Sequence, residues 1–227
     1  MSLRAVLFDA GNTLVHLDYP RLAQRVGRAT GVPLTAEQLQ AQAGDAAMLM
    51  ERGDGTDRER ASRYLEQLFL LAGVPPEQSS LVRDTLLALH REQHLWSGVH
   101  PATGPALDRL LGAGLRLGVV SNSDGRADEA LIAADLRDRF EFVIDSQLVG
   151  FEKPDPRIFE FALERLDLGR EDVLYVGDLY EVDVIGARRA GMDVILLDPL
   201  GKHRGRDVRT AASVAEVAEM LLQSTTV

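Results

Sequence analysis

The sequence predicts an α/β fold: a doubly wound, mostly parallel β-sheet of the Rossmann-like kind. Five short runs rich in valine, isoleucine and leucine do not alternate polar with apolar residues, which is typical of strands buried on both faces of a parallel sheet. Helical patterns lie between the later runs, as crossover connections require. The predicted strands are Arg4–Ala10, Leu115–Asn122, Glu141–Asp145, Asp172–Asp178 and Asp193–Asp198. The predicted helices of this part are Gly104–Leu111, Asp128–Leu136, Pro156–Leu166, Val184–Ala190 and Ser213–Leu222.

A long helical insertion follows the first predicted strand. About a hundred residues separate this strand from the second, far more than one crossover helix needs. Thr35, followed three residues later by Gln38, predicts a capping box at the start of one inserted helix. The predicted inserted helices are Tyr19–Thr30, Ala36–Arg52, Asp57–Ala72 and Glu77–His94. We therefore predict a core domain of residues 1–16 and 96–227, interrupted by an all-α domain of residues 17–95.

Composition excludes several classes of function. A formal net charge of −10 argues against nucleic acid as a partner, because such a protein needs a basic face. The chain has no cysteine, which excludes disulfides, thiolate metal sites and cysteine nucleophiles. It has neither a signal-peptide pattern nor an apolar stretch of membrane-spanning length, so we expect a cytoplasmic protein without a membrane partner. The sequence gives no prediction of the oligomeric state.

Chemically active residues stand where the predicted strands end. Asp9, Ser121 and Asp178 each lie at the end of a strand, and Lys153 follows the strand Glu141–Asp145. The carboxyl ends of parallel strands meet at one edge of the sheet, where ligands bind in open α/β folds. Two carboxylates suit Mg²⁺, whereas a hydroxyl and an ammonium suit phosphate oxygens. Phosphoryl transfer through an aspartyl-phosphate needs this combination, so the pattern predicts a magnesium and phosphate site.

The same residues fall in four motifs that resemble those of the haloacid dehalogenase-like hydrolase superfamily. The motifs occur in order as DAGNT (Asp9–Thr13), SN (Ser121–Asn122), KP (Lys153–Pro154) and GDLYEVD (Gly177–Asp183). The helical insertion is similar in position to one type of cap domain in that superfamily, most of whose members are Mg²⁺-dependent phosphatases. The resemblance implies a phosphatase of small phosphorylated metabolites with a helical cap.

The resemblance also implies a role for each motif residue. Asp9 is expected to be the nucleophile, and Lys153 is expected to act with it in catalysis. The residues expected to hold the phosphoryl group are Ser121, Asn122 through its backbone N–H, and Lys153. The expected Mg²⁺ ligands are Asp9, Asp178 and the backbone carbonyl of Gly11. Thr13 is expected to support these ligands. Asp183 is expected either to do the same or to be a carboxylate on a helix surface.

Gly11 is the main departure from the family pattern. Phosphatases of the superfamily usually carry a second aspartate two residues after the nucleophile, which protonates the leaving group and then activates water. Here that position is Gly11, so activity is expected to be weak or limited to good leaving groups. Two alternatives therefore stay open: a 2-haloacid dehalogenase, which needs no acid, and a non-catalytic phosphate-binding or interaction protein on the same fold.

Overall fold

The computed structural model describes residues 3–51 and 57–223. The chain divides into two compact units, of which one comprises Met1–His16 with Val99–Val227 and the other comprises Leu17–Gly98. The second predicted division lies between residues 95 and 96, slightly earlier in the chain.

The first unit is organised around a six-stranded parallel sheet. Across the described residues of both units the strands are, in chain order, β1 (Ala5–Phe8), β2 (His16–Leu17), β3 (Trp96–Gly98), β4 (Arg116–Ser121), β5 (Val143–Asp145), β6 (Val173–Gly177), β7 (Asp193–Leu197) and β8 (Arg209–Ala211). The sheet has the order β5-β4-β1-β6-β7-β8, and its neighbouring strands pair in parallel. Strands β2 and β3 form a separate two-stranded sheet. The predicted doubly wound parallel fold is confirmed.

The second unit is helical. Its helices are α1 (Tyr19–Thr30), α2 (Ala36–Glu51), α3 (Asp57–Leu71) and α4 (Ser79–Glu92), and a short 3₁₀ turn, Pro76–Gln78, precedes α4. The Asp18 carboxylate accepts a hydrogen bond from Arg21 N (3.1 Å) and so caps α1. The predicted capping box is present, with Gln38 Oε1 2.9 Å from Thr35 N and Thr35 Oγ1 3.2 Å from Gln38 N. The predicted end of α2 at Arg52 lies outside the described residues.

The helices of the first unit follow the crossover pattern. They are α5 (Thr103–Gly112), α6 (Ala127–Ala133), α7 (Ser146–Val149), α8 (Arg157–Leu166), α9 (Ile185–Arg189) and α10 (Val214–Gln223). A π-helical turn, Tyr180–Val184, leads directly into α9. Helical structure therefore begins four residues before the start that the sequence predicted, Val184. In the part of the chain that the structure describes, no helix combines the length and apolarity needed to cross a bilayer.

Helix α8 shows how the helices cover the sheet. Its buried residues Ile158, Phe159, Ala162 and Leu166 recur at helical spacing, so they form one apolar stripe. This stripe belongs to the same buried cluster as Leu7 of β1 and Tyr175 of β6. Burying each large apolar side chain contributes about 1.5–3 kcal/mol to folding. The face of the sheet that carries Leu7 and Tyr175 is thereby closed to water.

Candidate active site

The carboxyl ends of the three central strands bring together residues that are far apart in the sequence. Strand β1 lies between β4 and β6, with Phe8 paired to both Val119 and Val176. Asp9 extends this pairing, because its N–H donates to Val176 O at 2.8 Å. Ser121 is the last residue of β4, and Asp178 directly follows β6. Three predicted site residues therefore stand at one edge of the sheet.

Lys153 is buried at this edge with its ammonium fully engaged. The residue is 1% exposed, and Nζ donates to Asp9 Oδ1 at 2.5 Å and to Asp183 Oδ1 at 2.8 Å. The third partner is the hydroxyl oxygen of Tyr175, at 2.9 Å. Because an ammonium has three donors, these bonds use all of them. The two carboxylates were among the predicted site residues, but the tyrosine was not.

The backbone of Lys153 is held by the side chain of Asn122. Asn122 Oδ1 accepts from Lys153 N at 2.8 Å, and Asn122 Nδ2 donates to Lys153 O at 3.0 Å. The peptide bond between Lys153 and Pro154 is cis. The side chain of Asn122 thus has a positioning task that the sequence analysis, which considered only its backbone N–H, did not identify.

Asp183 is a buried organising group, so the expectation of a helix-surface carboxylate is wrong. It is 1% exposed, and its Oδ2 accepts from Asp178 N at 3.1 Å and from Leu179 N at 2.9 Å. A Cβ atom on Gly177 would lie 2.3 Å from Asp183 Cγ, so only glycine allows this carboxylate to approach the end of β6. Asp183 therefore shapes the loop that carries Asp178 and also binds Lys153.

The turn after Asp9 places Asn12 in a conformation that few side chains tolerate. Asn12 has φ 56°, a left-handed conformation that asparagine tolerates better than most residues. The turn is closed by Asn12 N to Val15 O (2.7 Å) and Val15 N to Ala10 O (3.0 Å). These two bonds join Val15 to the residues on either side of Gly11 and so hold Gly11 beside Val15. Neither bond involves the N–H or the C=O of Gly11 itself.

Thr13 contributes a buried hydroxyl next to this turn. The residue is 2% exposed, and within the described ranges its Oγ1 has no hydrogen-bond partner. A buried polar atom without a partner is costly, which makes Thr13 Oγ1 a candidate contact for a bound group.

The electrostatics of the site favour a divalent cation. The Lys153 ammonium contacts the carboxylates of Asp9 and Asp183, and the Asp178 carboxylate lies near enough to interact electrostatically with both carboxylates. Burial raises the pKa of Asp9 to about 7, with Lys153 opposing this shift and Asp183 adding to it. Burial and the neighbouring Asp9 hold the pKa of Asp178 well above its ordinary value. Burial alone would lower the pKa of Lys153, but Asp183 and Asp9 raise it well above its ordinary value. The excess negative charge and the hard oxygen donors fit Mg²⁺.

Comparisons with known proteins give the family. A family model described as haloacid dehalogenase-like hydrolase matches residues 3–191, which is most of the chain. This chain belongs to the haloacid dehalogenase-like hydrolase family. It is therefore a hydrolase by family.

Several curated proteins are similar over nearly their whole length. The chain is 31% identical to the phosphatase MT3486 of Mycobacterium tuberculosis, over 96% of this chain and 98% of that protein. It is 30% identical to a glyceraldehyde 3-phosphate phosphatase of Methanothermobacter thermautotrophicus, over 96% of this chain and 100% of that protein. The crystal structure of the HAD hydrolase YfnB from Bacillus subtilis, at 22% identity, superposes with a TM-score of 0.72 and covers 97% of this chain and 99% of that one. This last similarity shows the fold.

This haloacid dehalogenase-like hydrolase also has a support for the Ser121 loop that the sequence analysis missed. Asp145, the last residue of β5, is buried, and its carboxylate accepts from the backbone N–H groups of Gly125 (3.0 Å), Ala127 (3.1 Å) and Gln147 (3.0 Å). The bonds from Gly125 and Ala127 fix the loop that follows β4, and the bond from Gln147 caps α7. Asp145 ends a predicted strand just as Asp9 does, and that signal was present in the sequence.

Proposed function

We propose that this chain is a Mg²⁺-dependent phosphatase of small phosphorylated metabolites that acts through an aspartyl-phosphate on Asp9. The observation that carries the proposal is the buried Asp9 carboxylate, which Lys153 holds by Oδ1 at 2.5 Å amid an excess of negative charge. The names of the two relatives, a phosphatase and a glyceraldehyde 3-phosphate phosphatase, support the same class of reaction.

In this proposal Asp9 is the nucleophile. Lys153 engages Oδ1 of Asp9, so Oδ2 is the oxygen that forms the bond to phosphorus while the bond to the leaving oxygen breaks. Water then attacks phosphorus, releases inorganic phosphate and regenerates the Asp9 carboxylate. Ser121 and the backbone N–H of Asn122 hold the phosphoryl oxygens, and the charge of Lys153 offsets the charge of the transferring group.

The proposed metal ligands are the carboxylates of Asp9 and Asp178 and the carbonyl of Gly11. When bound there, Mg²⁺ would neutralise the excess charge of the carboxylates and of the phosphoryl group. Asp183 supports the site through its bonds to the backbone of Asp178 and Leu179. We propose that Thr13 Oγ1, which has no hydrogen-bond partner among the described residues, supports the same ligands from the Asp9 turn.

Gly11 narrows the proposed substrates to those with good leaving groups. It cannot supply the proton that a strongly basic alkoxide needs when it departs. An acyl phosphate, an aryl phosphate or an anhydride departs as a weaker base and needs little help. Missing general acid catalysis costs about 10²–10⁴ in rate, so this preference is expected to be strong.

The absence of a proton carrier at Gly11 also favours one alternative, a 2-haloacid dehalogenase, since halide departs without a proton. Hydrolysis of p-nitrophenyl phosphate, acetyl phosphate and a 2-haloacid, each with Mg²⁺ and with a chelator, separates the two functions. The proposal predicts Mg²⁺-dependent release of phosphate and no release of halide. Metal-independent halide release would establish the alternative, and inactivity towards all three would favour a non-catalytic protein.

Magnesium binding can be tested without any substrate. Mg²⁺ at about 100 times its dissociation constant is expected to stabilise the fold by about 2.7 kcal/mol, seen as a higher melting temperature. Asp178→Asn removes one proposed ligand and is expected to abolish most of this shift. The matched control is Asp138→Asn, an exposed aspartate in the turn that leads to the amino end of β5. A wild-type melting temperature that Mg²⁺ leaves unchanged would remove the metal from the proposal.

A further inference from the structure

Tyr175 carries a buried hydroxyl at the centre of the site. It lies in none of the four motifs from which the site residues were predicted. It lies in β6, is fully buried, and packs edge-to-face on Phe159 of α8 with a ring-centroid distance of 4.9 Å. An apolar ring would fill this part of the core equally well. A buried phenol needs a hydrogen-bond partner, so the presence of tyrosine calls for an explanation in its hydroxyl.

The partners of that hydroxyl are the charged groups of the site. Tyr175 OH accepts from Lys153 Nζ at 2.9 Å. Its single proton can be donated to Asp183 Oδ1 at 3.0 Å or to Val120 O at 3.2 Å. Tyr175 therefore occupies the one donor of the ammonium that the two carboxylates leave over, and it does so without adding charge.

We propose that Tyr175 is a positioning residue that acts through Lys153 on the nucleophile. An ammonium bound only by Asp9 and Asp183 would keep its third donor without a partner in a buried site, and the cost of that donor would favour a shift of the ammonium away from its two carboxylates. With the third bond made, the direction of the bond to Asp9 Oδ1 is fixed. This fixes Oδ1 as the held oxygen and Oδ2 as the oxygen presented to phosphorus.

The kinetic test of this proposal rests on the proposed phosphatase function. Tyr175→Phe keeps the ring and removes the hydroxyl. It is expected to lower kcat for p-nitrophenyl phosphate about tenfold, which corresponds to the loss of one hydrogen bond of ordinary strength, and to leave KM within about twofold. The control Ile158→Val removes one carbon from the same buried cluster and is expected to keep the wild-type kcat. If the role of Tyr175 were purely structural, Tyr175→Phe would behave like Ile158→Val: its melting temperature would fall and its kcat would stay at the wild-type value.

A second readout does not depend on activity. The chain has only two lysines, buried Lys153 and exposed Lys202, so protein labelled with ¹⁵N-lysine gives two ammonium signals. The three hydrogen bonds predict slow exchange with water at Lys153 in the wild type. Tyr175→Phe is expected to speed this exchange at least about tenfold and to leave Lys202 unchanged.

The two readouts separate the possible failures. Rapid exchange at Lys153 in the wild type would overturn the proposal even if Tyr175→Phe did not fold. A folded Tyr175→Phe protein with wild-type exchange at Lys153 and wild-type kcat would also overturn it. If the wild type hydrolyses no phosphoester, the proposed function fails, and the exchange of the Lys153 ammonium alone decides the role of Tyr175.

Discussion

Replacing Asp9 with asparagine is expected to lower turnover of p-nitrophenyl phosphate by on the order of 10³-fold or more. The amide has no anionic oxygen with which to attack phosphorus, so the covalent route through an aspartyl-phosphate is lost. The measurement is the steady-state rate with Mg²⁺, together with the mass of rapidly acid-quenched protein. The wild type is expected to carry one additional phosphoryl group, and Asp9→Asn is expected to carry none.

The Asp9→Asn protein is expected to fold, which makes the loss of turnover interpretable. The pKa of Asp9 is raised from 3.8 to about 7 in the folded protein, so its ionised form costs stability when no metal is bound. This cost is absent at low pH, where Asp9 is protonated in both the folded and the unfolded protein. It grows as the pH rises from the ordinary pKa of 3.8 to the folded-state pKa of about 7. In a chelator at pH 8, Asp9→Asn should therefore melt no lower than the wild type. Retained turnover in this folded variant would show that Asp9 is not the nucleophile.

The sheet could be predicted from the sequence because its central strands are buried on both faces. Strands β1 and β6 consist almost entirely of buried apolar residues, and such a run without polar alternation is typical of a strand inside a parallel sheet. Strand β8 (Arg209–Ala211) was missed for the opposite reason: it has three residues, of which only Ala211 is buried. Such an edge strand is formed by pairing with β7, and pairing leaves no pattern in the sequence of the strand itself.

A carboxylate at the end of a strand proved to be an ambiguous signal. Asp9 and Asp145 both close a buried strand, yet Asp9 faces an ammonium whereas Asp145 accepts hydrogen bonds from backbone N–H groups. The local sequence alone does not separate these two tasks. What distinguished Asp9 was its place in a set of four motifs, and what distinguishes it in the structure is the buried Lys153.

Tyr175 acquires its polar contacts only through the tertiary fold. Within β6 it continues an apolar run, so the strand pattern does not mark it as a site residue, and its ring lies in the buried core. Its hydroxyl contacts Lys153 only because α8 and the segment before it, which contains Lys153, cover the face of the sheet that carries Tyr175. That placement depends on the packing of segments distant in the sequence, so a strand pattern could not reveal it.

Restoring a carboxylate at position 11 is expected to raise turnover of alkyl phosphates by up to about 10²-fold. An aspartate there could protonate the leaving alkoxide and then activate water against the aspartyl-phosphate. The left-handed position of this turn is Asn12, and Gly11 is not among the glycines of the described ranges that have positive φ. The backbone conformation at Gly11 therefore does not require glycine. The measurement is kcat for a sugar phosphate relative to kcat for p-nitrophenyl phosphate, in the wild type and in Gly11→Asp.

Gly11→Asn is the matched control, because asparagine adds nearly the same volume as aspartate but has no titratable group that could act as a general acid or base. It is expected to leave the ratio of the two rates at its wild-type value, whereas Gly11→Asp brings the two rates closer together. The wild type is further expected to release a burst of nitrophenol before its steady state, because no residue at position 11 activates water for the second step. Turnover of sugar phosphates by the wild type at ordinary enzymatic rates, on the order of ten per second, together with no effect of Gly11→Asp, would show that another group supplies the proton. In that case the preference for good leaving groups would have no basis in Gly11.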